Sequence, residues 1–363
     1  MIYYFQWLLF GLTAILVTAT LLPLSKIRFG AIRGLAFPRV QLFWIAVGLA
    51  VASLAVPLGF WIAAVLLLVA LAQLAYIVKF TPLWPRQSVD ADAHQQADSR
   101  CHISLLAANV KKSNRDYAAL IDLTGKHKPD VLMAIEVDED WIGALEAQLK
   151  DKYPHLISVP KETGYGMCVM SRLPLSDSEV REIVTEGVPS VRTTVTLGTG
   201  AELRLYVVHP EPPVIDHDTK GRDSEIAHIG IEAARDSLPS IVTGDLNDVA
   251  WSTTTRGFQR LSGLLDPRVG RGFFNTFSAF HWWARWPLDH LFHDPQFRLI
   301  NMARLEKIGS DHFPMLFRLA LVEDPAQKSE TGTVDAEEKA DIKGMIAKEQ
   351  KRDRDPIGTD WED

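Results

Sequence analysis

The first 80 residues of this 363-residue chain contain no acidic side chain, and most of them are apolar. Residues 4–24 form an uncharged run long enough to cross a bilayer as a helix, and Met1 to Tyr3 lack the basic start of a cleaved signal. A second uncharged run, residues 40–78, is too long for one crossing and is interrupted at Pro57. The sequence therefore predicts a three-helix transmembrane region over residues 1–80, with helices at about 4–24, 40–56 and 59–78.

The loop between the first two predicted helices carries four basic residues, Lys26, Arg28, Arg33 and Arg39. The positive-inside rule places such a loop in the cytoplasm. Three crossings then put everything after residue 80 on the same side. The predicted location is the cell inner membrane, as a multi-pass protein with a cytoplasmic catalytic domain, and the lipid bilayer is a predicted partner.

Beyond the apolar region the pattern changes three times. Residues 81–100 are rich in Pro, Gln, Asp and Ser and predict an exposed linker. In residues 101–321 short β-branched runs alternate with amphipathic segments, which favours an α/β layered sandwich over a barrel. Residues 322–363 contain 13 acids and 7 bases by count, and predict an acidic, mostly disordered tail with a transient helix near 336–351.

Polar side chains follow most of the predicted buried strands at the point where each strand ends. A single one is better explained as a turn former, a cap or a solvated side chain, but their repetition at strand ends indicates a shared site. These candidate residues are Asn109, Glu136, His209, Asp245, Asn247, Asp289, Asp311 and His312.

The ordered set of motifs around these residues resembles the endonuclease/exonuclease/phosphatase superfamily, the DNase I-like fold. The blocks are AANV, PDVLMAIEV, GYGMCVMSRLPL, VVHPEPP, GDLND, PLDHLF and GSDHFP, in chain order. The resemblance covers about residues 102–320 and neither the apolar region nor the tail. It implies a four-layered α/β sandwich that would follow the three-helix transmembrane region.

The resemblance also implies a divalent cation, Mg²⁺ or Mn²⁺, held by Asn109 and Glu136 with Asp311 nearby. The residue types agree with this, because oxygen ligands without a Cys/His cluster suit Mg²⁺ or Mn²⁺ better than zinc. The two cysteines, Cys101 and Cys168, give no disulfide framework.

Catalytic roles are implied in the same way. His312 would be a general base or an electrostatic partner of the phosphate, oriented by Asp289. Asp245 would position or activate the attacking water, Asn247 would hydrogen-bond the phosphoryl oxygens, and His209 would stabilise charge on phosphorus. The sequence leaves open whether Asp245 or His312 activates the water.

The predicted function is a membrane-anchored, Mg²⁺-dependent phosphoesterase that hydrolyses phosphodiester bonds by metal-assisted attack of water. A nuclease and a lipid phosphodiesterase are equally compatible with the sequence, so the substrate partner is a nucleic acid or a lipid headgroup. Residues 101–321 carry 24 basic and 29 acidic residues by count, which gives no net basic charge for DNA. The alternative is a non-catalytic binding platform on the membrane, and no protein partner is inferable.

Two further features have open interpretations. Arg192 would either bind a substrate phosphate or be an ordinary surface arginine on a strand. Residues 273–286, FFNTFSAFHWWARW, contain seven aromatic Phe and Trp residues immediately before Asp289. They would form either a loop packed over the sheet or an aromatic lip that touches the bilayer interface or stacks on substrate.

Overall fold

The computed structural model describes residues 2–322 and 331–359, and its regular elements are as follows. The helices are α1 (Ile2–Leu21), α2 (Gly30–Gly34), α3 (Arg39–Ser53), α4 (Gly59–Ile77), α5 (Ala93–Ala97), α6 (Tyr117–His127), α7 (Glu139–Leu149), α8 (Lys220–Ala233), α9 (Thr253–Ser262) and α10 (Ala336–Glu349). The strands are β1 (His102–Asn109), β2 (Val131–Ile135), β3 (His155–Val159), β4 (Met167–Ser171), β5 (Leu175–Arg181), β6 (Ser190–Thr196), β7 (Glu202–Val208), β8 (Ser240–Asp245), β9 (Asp289–His293), β10 (Phe297–Arg304) and β11 (Met315–Leu321).

Helices α1, α3 and α4 pack together around small and branched apolar residues such as Leu9, Ala50 and Leu66. Within the described residues, only Ile2–Leu24 and Gly59–Phe80 are long and apolar enough to cross a membrane, and 33% and 39% of their apolar windows are buried. The expectation of three spanning helices is therefore corrected to two, because α3 has 15 residues and ends at Ser53. As a shorter apolar helix, α3 leads the chain back between the two long ones, so that Ala36, after α1, and Phe80, after α4, lie at the same end.

The strands form two sheets that pack face to face. The six-stranded sheet has the order β10-β11-β1-β2-β4-β3, and the five-stranded sheet has the order β5-β6-β7-β8-β9. Strands β1 and β2 are parallel, as are β7 and β8, and their neighbours are antiparallel. Leu105 and Met133 of the first sheet meet Leu205 and Ile241 of the second in one buried cluster, because alternate side chains of each strand point to this interface.

The outer face of each sheet is covered by helices. Leu106 and Leu132 pack against α6 and α7, where Trp141 is fully buried. Tyr206 packs against α8 and against Phe258 of α9. Helices α6, α7 and α9 begin at side-chain caps, since Asp116, Asp138 and Ser252 each accept a backbone N–H three residues ahead.

Residues 81–100 are not an exposed linker along their whole length, contrary to the sequence prediction. Ser88 is fully buried, and its hydroxyl lies 2.7 Å from Nε2 of His293 in β9. The Ala91 N–H donates to the Leu299 carbonyl at 2.8 Å. The polar composition of the segment conceals this docking, because its polar groups are satisfied by the neighbouring strands.

The tail is also more ordered than predicted. Residues 336–349 form α10, whose Ile342 and Ile346 pack on Ala227 of α8. The one-turn spacing of these two isoleucines builds an apolar stripe that the acidic composition hides. The rest of the predicted tail includes residues 323–330 and 360–363, which lie outside the described residues.

The apolar helices and the two-sheet region form a continuous contact. Ala36, Ile77 and Phe80 share a buried cluster with Val249 and Trp251. The Trp251 indole N–H also donates to the Ala36 carbonyl at 2.7 Å. The turn that follows β8 is therefore held directly by the ends of the N-terminal helices.

Candidate active site

The predicted site residues lie at neighbouring strand ends, where the two sheets meet. Asn109 ends β1, and Glu136 follows β2, which runs parallel to β1 with Asn109 opposite Ile135. On the other sheet, Asp245 ends β8 directly opposite Asp289, the first residue of β9. Parallel pairing in one sheet and antiparallel pairing in the other thus bring carboxylates from both sheets to one edge.

Asn109 links the two sheets. Its side-chain amide donates to Oε1 of Glu136 at 2.6 Å and to Oδ2 of Asp245 at 3.2 Å. The oxygen of the same side-chain amide, Oδ1, accepts the Lys111 N–H at 3.0 Å. Asn109 is 1% exposed, so these bonds fix the relative position of two carboxylates that would otherwise repel each other.

His312 lies between two aspartates. Its Nδ1 is 2.7 Å from Oδ2 of Asp289, and its Nε2 is 3.5 Å from Oδ2 of Asp245. Burial alone would lower the pKa of His312, but the charges of Asp289 and Asp245 outweigh burial and raise the pKa to about 10. Burial raises the pKa of Asp245 to about 6, although His312 acts in the opposite direction. At neutral pH the arrangement is an imidazolium flanked by two carboxylates.

Glu136 has the most perturbed carboxyl group of the predicted metal set. Burial raises its pKa to about 8, and the charges of Asp311 and Asp245 add to the effect, while the Asn109 hydrogen bond opposes it. Its side chain is still 22% exposed, so an ion from solvent has access. The Glu136 backbone is in the left-handed region, with φ of 63°, which is uncommon outside glycine and clusters at functional sites.

This donor set fits a divalent cation such as Mg²⁺ or Mn²⁺. Glu136 and Asp311 offer carboxylate oxygens, the hard ligands that these ions prefer. The amide nitrogen of Asn109 faces Glu136, so Asn109 would bind an ion through its oxygen with the amide turned over. Burial is the main cause of the raised pKa of Glu136, and a cation bound beside it would favour the ionised carboxylate. Asp245, Asp289 and His312 also have ligand atoms within 4.8 Å of one another, but the raised pKa of His312 favours a protonated ring there, which cannot bind a metal.

His209 follows β7 and is 4% exposed. Its Nε2 lies 3.8 Å from Oε1 of Glu136, and its Nδ1 has no hydrogen-bond partner among the described residues. Burial, with a contribution from the charge of His312, lowers the pKa of His209 to about 4. A neutral His209 can donate one N–H to a ligand but carries no positive charge.

The end of β8 and the turn after it depend on a glycine, Gly244, in the strand's last two residues. Gly244 has φ of 139°, and a Cβ there would lie 2.0 Å from the Val208 carbonyl oxygen. Asn247 also has a positive φ, and its side-chain amide donates to the Pro210 carbonyl at 2.9 Å. Fully buried Arg222 donates to the Asn247 carbonyl at 3.0 Å. The sequence does not single out Arg222, because charged residues such as Lys220 and Asp223 surround it at the start of α8 and one more arginine there is ordinary.

The aromatic segment 273–286 packs beside the site in its inner part. The Phe277 ring lies 5.1 Å from the His312 ring and stacks on Trp286. The Thr276 hydroxyl accepts the Asp289 N–H at 3.1 Å, and the Ala279 N–H donates to the Asp311 carbonyl at 2.6 Å. The segment therefore supports the backbone on both sides of His312.

Arg192 is the predicted site residue that the structure does not bring to this edge. It lies on β6 beside Glu179, Glu232 and Asp236, with nitrogen–oxygen distances of 3.4 to 3.7 Å. This places it on the outer face of the five-stranded sheet, where Tyr206 of β7 is its cross-strand neighbour. The proposed phosphate contact is corrected to an ion-pair cluster, because alternation along β6 turns the side chain away from the strand-end edge.

Comparisons with known proteins agree with this architecture. The sequence matches the family model described as the Endonuclease/Exonuclease/phosphatase family over residues 106–312. The structure of D. rerio TDP2 complexed with a single-strand DNA product superposes with a TM-score of 0.50 and 17% identity, covering 60% of this chain and 98% of that chain.

An endonuclease/exonuclease/phosphatase from Beutenbergia cavernae superposes with a TM-score of 0.50 and 19% identity, covering 61% of this chain and 72% of that chain. No curated protein sequence matches this chain. At these identities the solved structures show a common fold.

Proposed function

This chain belongs to the endonuclease/exonuclease/phosphatase family, and we propose that it is a membrane-anchored, metal-dependent phosphoesterase that hydrolyses phosphodiester bonds with water. The observation that carries the proposal is a series of three hydrogen bonds and one ion pair that joins both sheets, formed by Glu136, Asn109, Asp245, His312 and Asp289. The two sheets with helices on their outer faces support the four-layered sandwich that the sequence predicts. A binding platform without catalysis would not require this costly burial of like charges.

Asp245 is the group that we assign to activate water. Its raised pKa of about 6 leaves it ionised at neutral pH while making it a stronger base than an ordinary aspartate. Its Oδ1 accepts the Asn247 N–H at 2.8 Å, which fixes the carboxylate plane. His312 is protonated at the same pH and so supplies positive charge and a proton rather than accepting one.

The other residues orient and neutralise the substrate. Asp289 holds the His312 ring through Nδ1, so that Nε2 faces Asp245 and the open edge. Neutral His209 and the side chain of Asn247 are assigned to hydrogen-bond phosphoryl oxygens. Asn109, Glu136 and Asp311 would hold Mg²⁺ or Mn²⁺, which when bound neutralises phosphate charge and acts as a Lewis acid.

The apolar helices support the membrane anchor. About two thirds of the residues in the two spanning windows are not buried by protein, and large side chains such as Ile15, Leu68 and Leu71 are exposed. Arg28 lies 3.5 Å from Asp223 and Arg33 donates to Thr253 at 2.8 Å, so the basic loop and the catalytic region lie at one end of the helices. By the positive-inside rule we propose a cytoplasmic catalytic region at the inner membrane.

Hydrolysis of bis(p-nitrophenyl) phosphate by the full chain in detergent with Mg²⁺ tests the proposed function. We expect Asp245→Asn to lower kcat by about a thousandfold, because the amide cannot accept a proton. Asp140→Asn, an exposed change on α7, is the matched control and should leave the rate unchanged. Full activity in Asp245→Asn would overturn the assignment.

A further inference from the structure

The tip of the aromatic segment is exposed, unlike its inner part. We call residues 279–284 the aromatic lip. Within it Phe280 is 52% exposed, Trp282 80% and Trp283 62%. The other large apolar side chains exposed to a comparable degree within residues 102–322 are Val180 and Ile215, which stand far apart in sequence. Three adjacent exposed aromatic rings are costly in water and are typical of an interaction surface.

The aromatic lip adjoins the apolar helices at the level where α3 begins. The Gln41 side-chain amide, in the first turn of α3, donates to the Trp283 carbonyl at 2.9 Å. The Phe37 ring lies edge-on to Trp286 with centroids 5.6 Å apart. Trp44, one turn further along α3, is 65% exposed on the helix surface. The lip is thus continuous with the exposed apolar surface of the helices.

The same lip is joined to the catalytic edge by short connections. Ala279, at its base, is bonded to the Asp311 backbone, next to His312. The Phe280 ring lies 5.9 Å from Nζ of Lys111, and that ammonium lies 3.9 Å from Oδ2 of Asp311. A cation therefore stands between the exposed rings and the proposed metal ligands, where a phosphate would be attracted.

We propose that the aromatic lip enters the headgroup layer of the bilayer that holds α1 and α4, and that the active site takes the phosphodiester of a phospholipid headgroup at that surface. The substrate part of this inference rests on the proposed phosphodiesterase function. Indole rings favour the membrane interface, where the apolar body meets lipid and the N–H meets water. A substrate held in the same layer needs no release from the membrane to reach Lys111 and the strand-end carboxylates.

A single-stranded nucleic acid would also stack on exposed aromatic rings. Continuity with the apolar helices favours lipid, and so does the absence of net basic charge over residues 101–321. The nucleic acid therefore enters as a competing outcome of the experiment.

The experiment compares the full chain with Trp282→Ser/Trp283→Ser in mixed micelles of dodecyl maltoside, phosphatidylcholine, phosphatidylethanolamine and phosphatidylglycerol. Phosphorus-31 NMR measures loss of phospholipid diester whichever ester bond is cut. Bis(p-nitrophenyl) phosphate and a single-stranded DNA oligonucleotide are assayed in the same micelles. Trp61→Ser is the matched control, because Trp61 is 68% exposed at the other end of α4.

We expect the full chain to consume phospholipid. In the double variant, the ratio of phospholipid turnover to bis(p-nitrophenyl) phosphate turnover should fall by about tenfold or more. In Trp61→Ser the same ratio should not change. An unchanged ratio in the double variant overturns the proposal. So does a chain that cleaves bis(p-nitrophenyl) phosphate but no phospholipid, or one whose DNA cleavage depends on the lip. Absence of all hydrolysis overturns the proposed function instead.

Quenching of tryptophan fluorescence by bromine-labelled phosphatidylcholine tests lip insertion without catalysis. Trp282→Phe/Trp283→Phe should remove a bromine-quenched component of the emission that Trp61→Phe leaves in place. If the emission lost with Trp282 and Trp283 is insensitive to brominated lipid, the lip does not enter the bilayer.

Discussion

At the scale of single residues, the chemistry depends on how His312 and Asp245 share their protons. Both are buried, and His312 Nε2 lies 3.5 Å from Oδ2 of Asp245, so the protonation of one affects the other. The higher pKa belongs to the ring, at about 10, and the lower to Asp245, at about 6. This order supports the proposed activation of water by Asp245 with His312 protonated, a choice that the sequence alone left open.

The pH profile of kcat/KM tests this order. We expect a rise through pH about 6 as Asp245 ionises and a fall near pH about 10 as His312 loses its proton. Asp289→Asn removes the largest of the charges that raise the pKa of His312, so the alkaline limb should move to lower pH by about one unit or more. An alkaline limb that stays in place in Asp289→Asn would show that His312 is not the group titrating there.

Glu136 makes metal binding depend on pH. Between its ordinary pKa of 4.5 and the raised value of about 8, the folded chain without metal holds a proton that the unfolded chain has lost. This group therefore contributes stability at low pH that is lost as the pH rises through about 8. A cation needs the carboxylate, so its affinity should increase as the pH rises over the same range.

We accordingly expect Mg²⁺ to raise the melting temperature of the full chain more at pH 8.5 than at pH 5.5. Glu136→Gln should remove both the pH dependence and most of the increase, while Glu139→Gln, exposed on α7, should keep them. An equal response to Mg²⁺ at both pH values in the unaltered chain would argue against Glu136 as a ligand.

At the scale of elements, residues 350–357, which follow α10 and which we call the strap, pack beside the candidate active site. Arg354 donates to both carboxylate oxygens of buried Glu211 at 2.6 Å each, and the Ile357 N–H donates to the same carboxylate at 2.9 Å. The Tyr165 hydroxyl donates to the Ile357 carbonyl, and the Tyr165 ring lies 5.5 Å from the His209 ring. The strap thus holds the loop that follows β7.

Arg354→Ala should destabilise the fold, because it leaves Glu211 buried without a cation next to buried Glu225. Breaking a buried pair costs about 3 kcal/mol, or roughly 6 to 12 °C in melting temperature for a region of this size. Arg352→Ala is the control, since Arg352 is 43% exposed and its pair with Asp218 should contribute less than about 1 kcal/mol. Equal melting temperatures for the two variants would contradict the account of the strap.

The elements that could be predicted from the sequence are those with a strong apolar signal. Strand β2, Val131–Ile135, is a continuous apolar run in the sequence, and all five of its residues are buried. The sequence gives no such signal for β5, whose middle residues are exposed and polar, or for α9, which buries only Thr255 and Phe258. In these elements end caps and neighbouring strands determine the structure, and local hydrophobicity does not.

The candidate site was predictable for a related reason. Except for Arg192, the predicted residues lie at strand ends or in the loops beside them, and parallel or paired strand ends bring them to one edge. Arg192 lies in the middle of a strand, where alternation decides its direction. The sequence could not reveal Arg222 or the strap, because their partners Asn247 and Glu211 are distant along the chain.

At the scale of the whole molecule, the N-terminal apolar helices and the two-sheet region are held together by direct contacts. The Gly30 N–H donates to the His217 carbonyl at 2.8 Å, and Phe29 forms a β-bridge with Asp218. With Trp251 bonded to Ala36, these contacts hold the loops after β7 and β8, which carry His209 and Asp245. A fragment that begins at residue 101 would lose them, so the decisive measurements need the full chain.

The most direct measurement is the rate at which the full chain in detergent hydrolyses bis(p-nitrophenyl) phosphate as Mg²⁺ is removed with EDTA and then restored. The account predicts that hydrolysis stops with EDTA, returns with Mg²⁺ in the unaltered chain, and does not return in Glu136→Gln. Hydrolysis that continues in EDTA, or a folded chain that binds Mg²⁺ without any hydrolysis, would contradict a metal-dependent phosphoesterase.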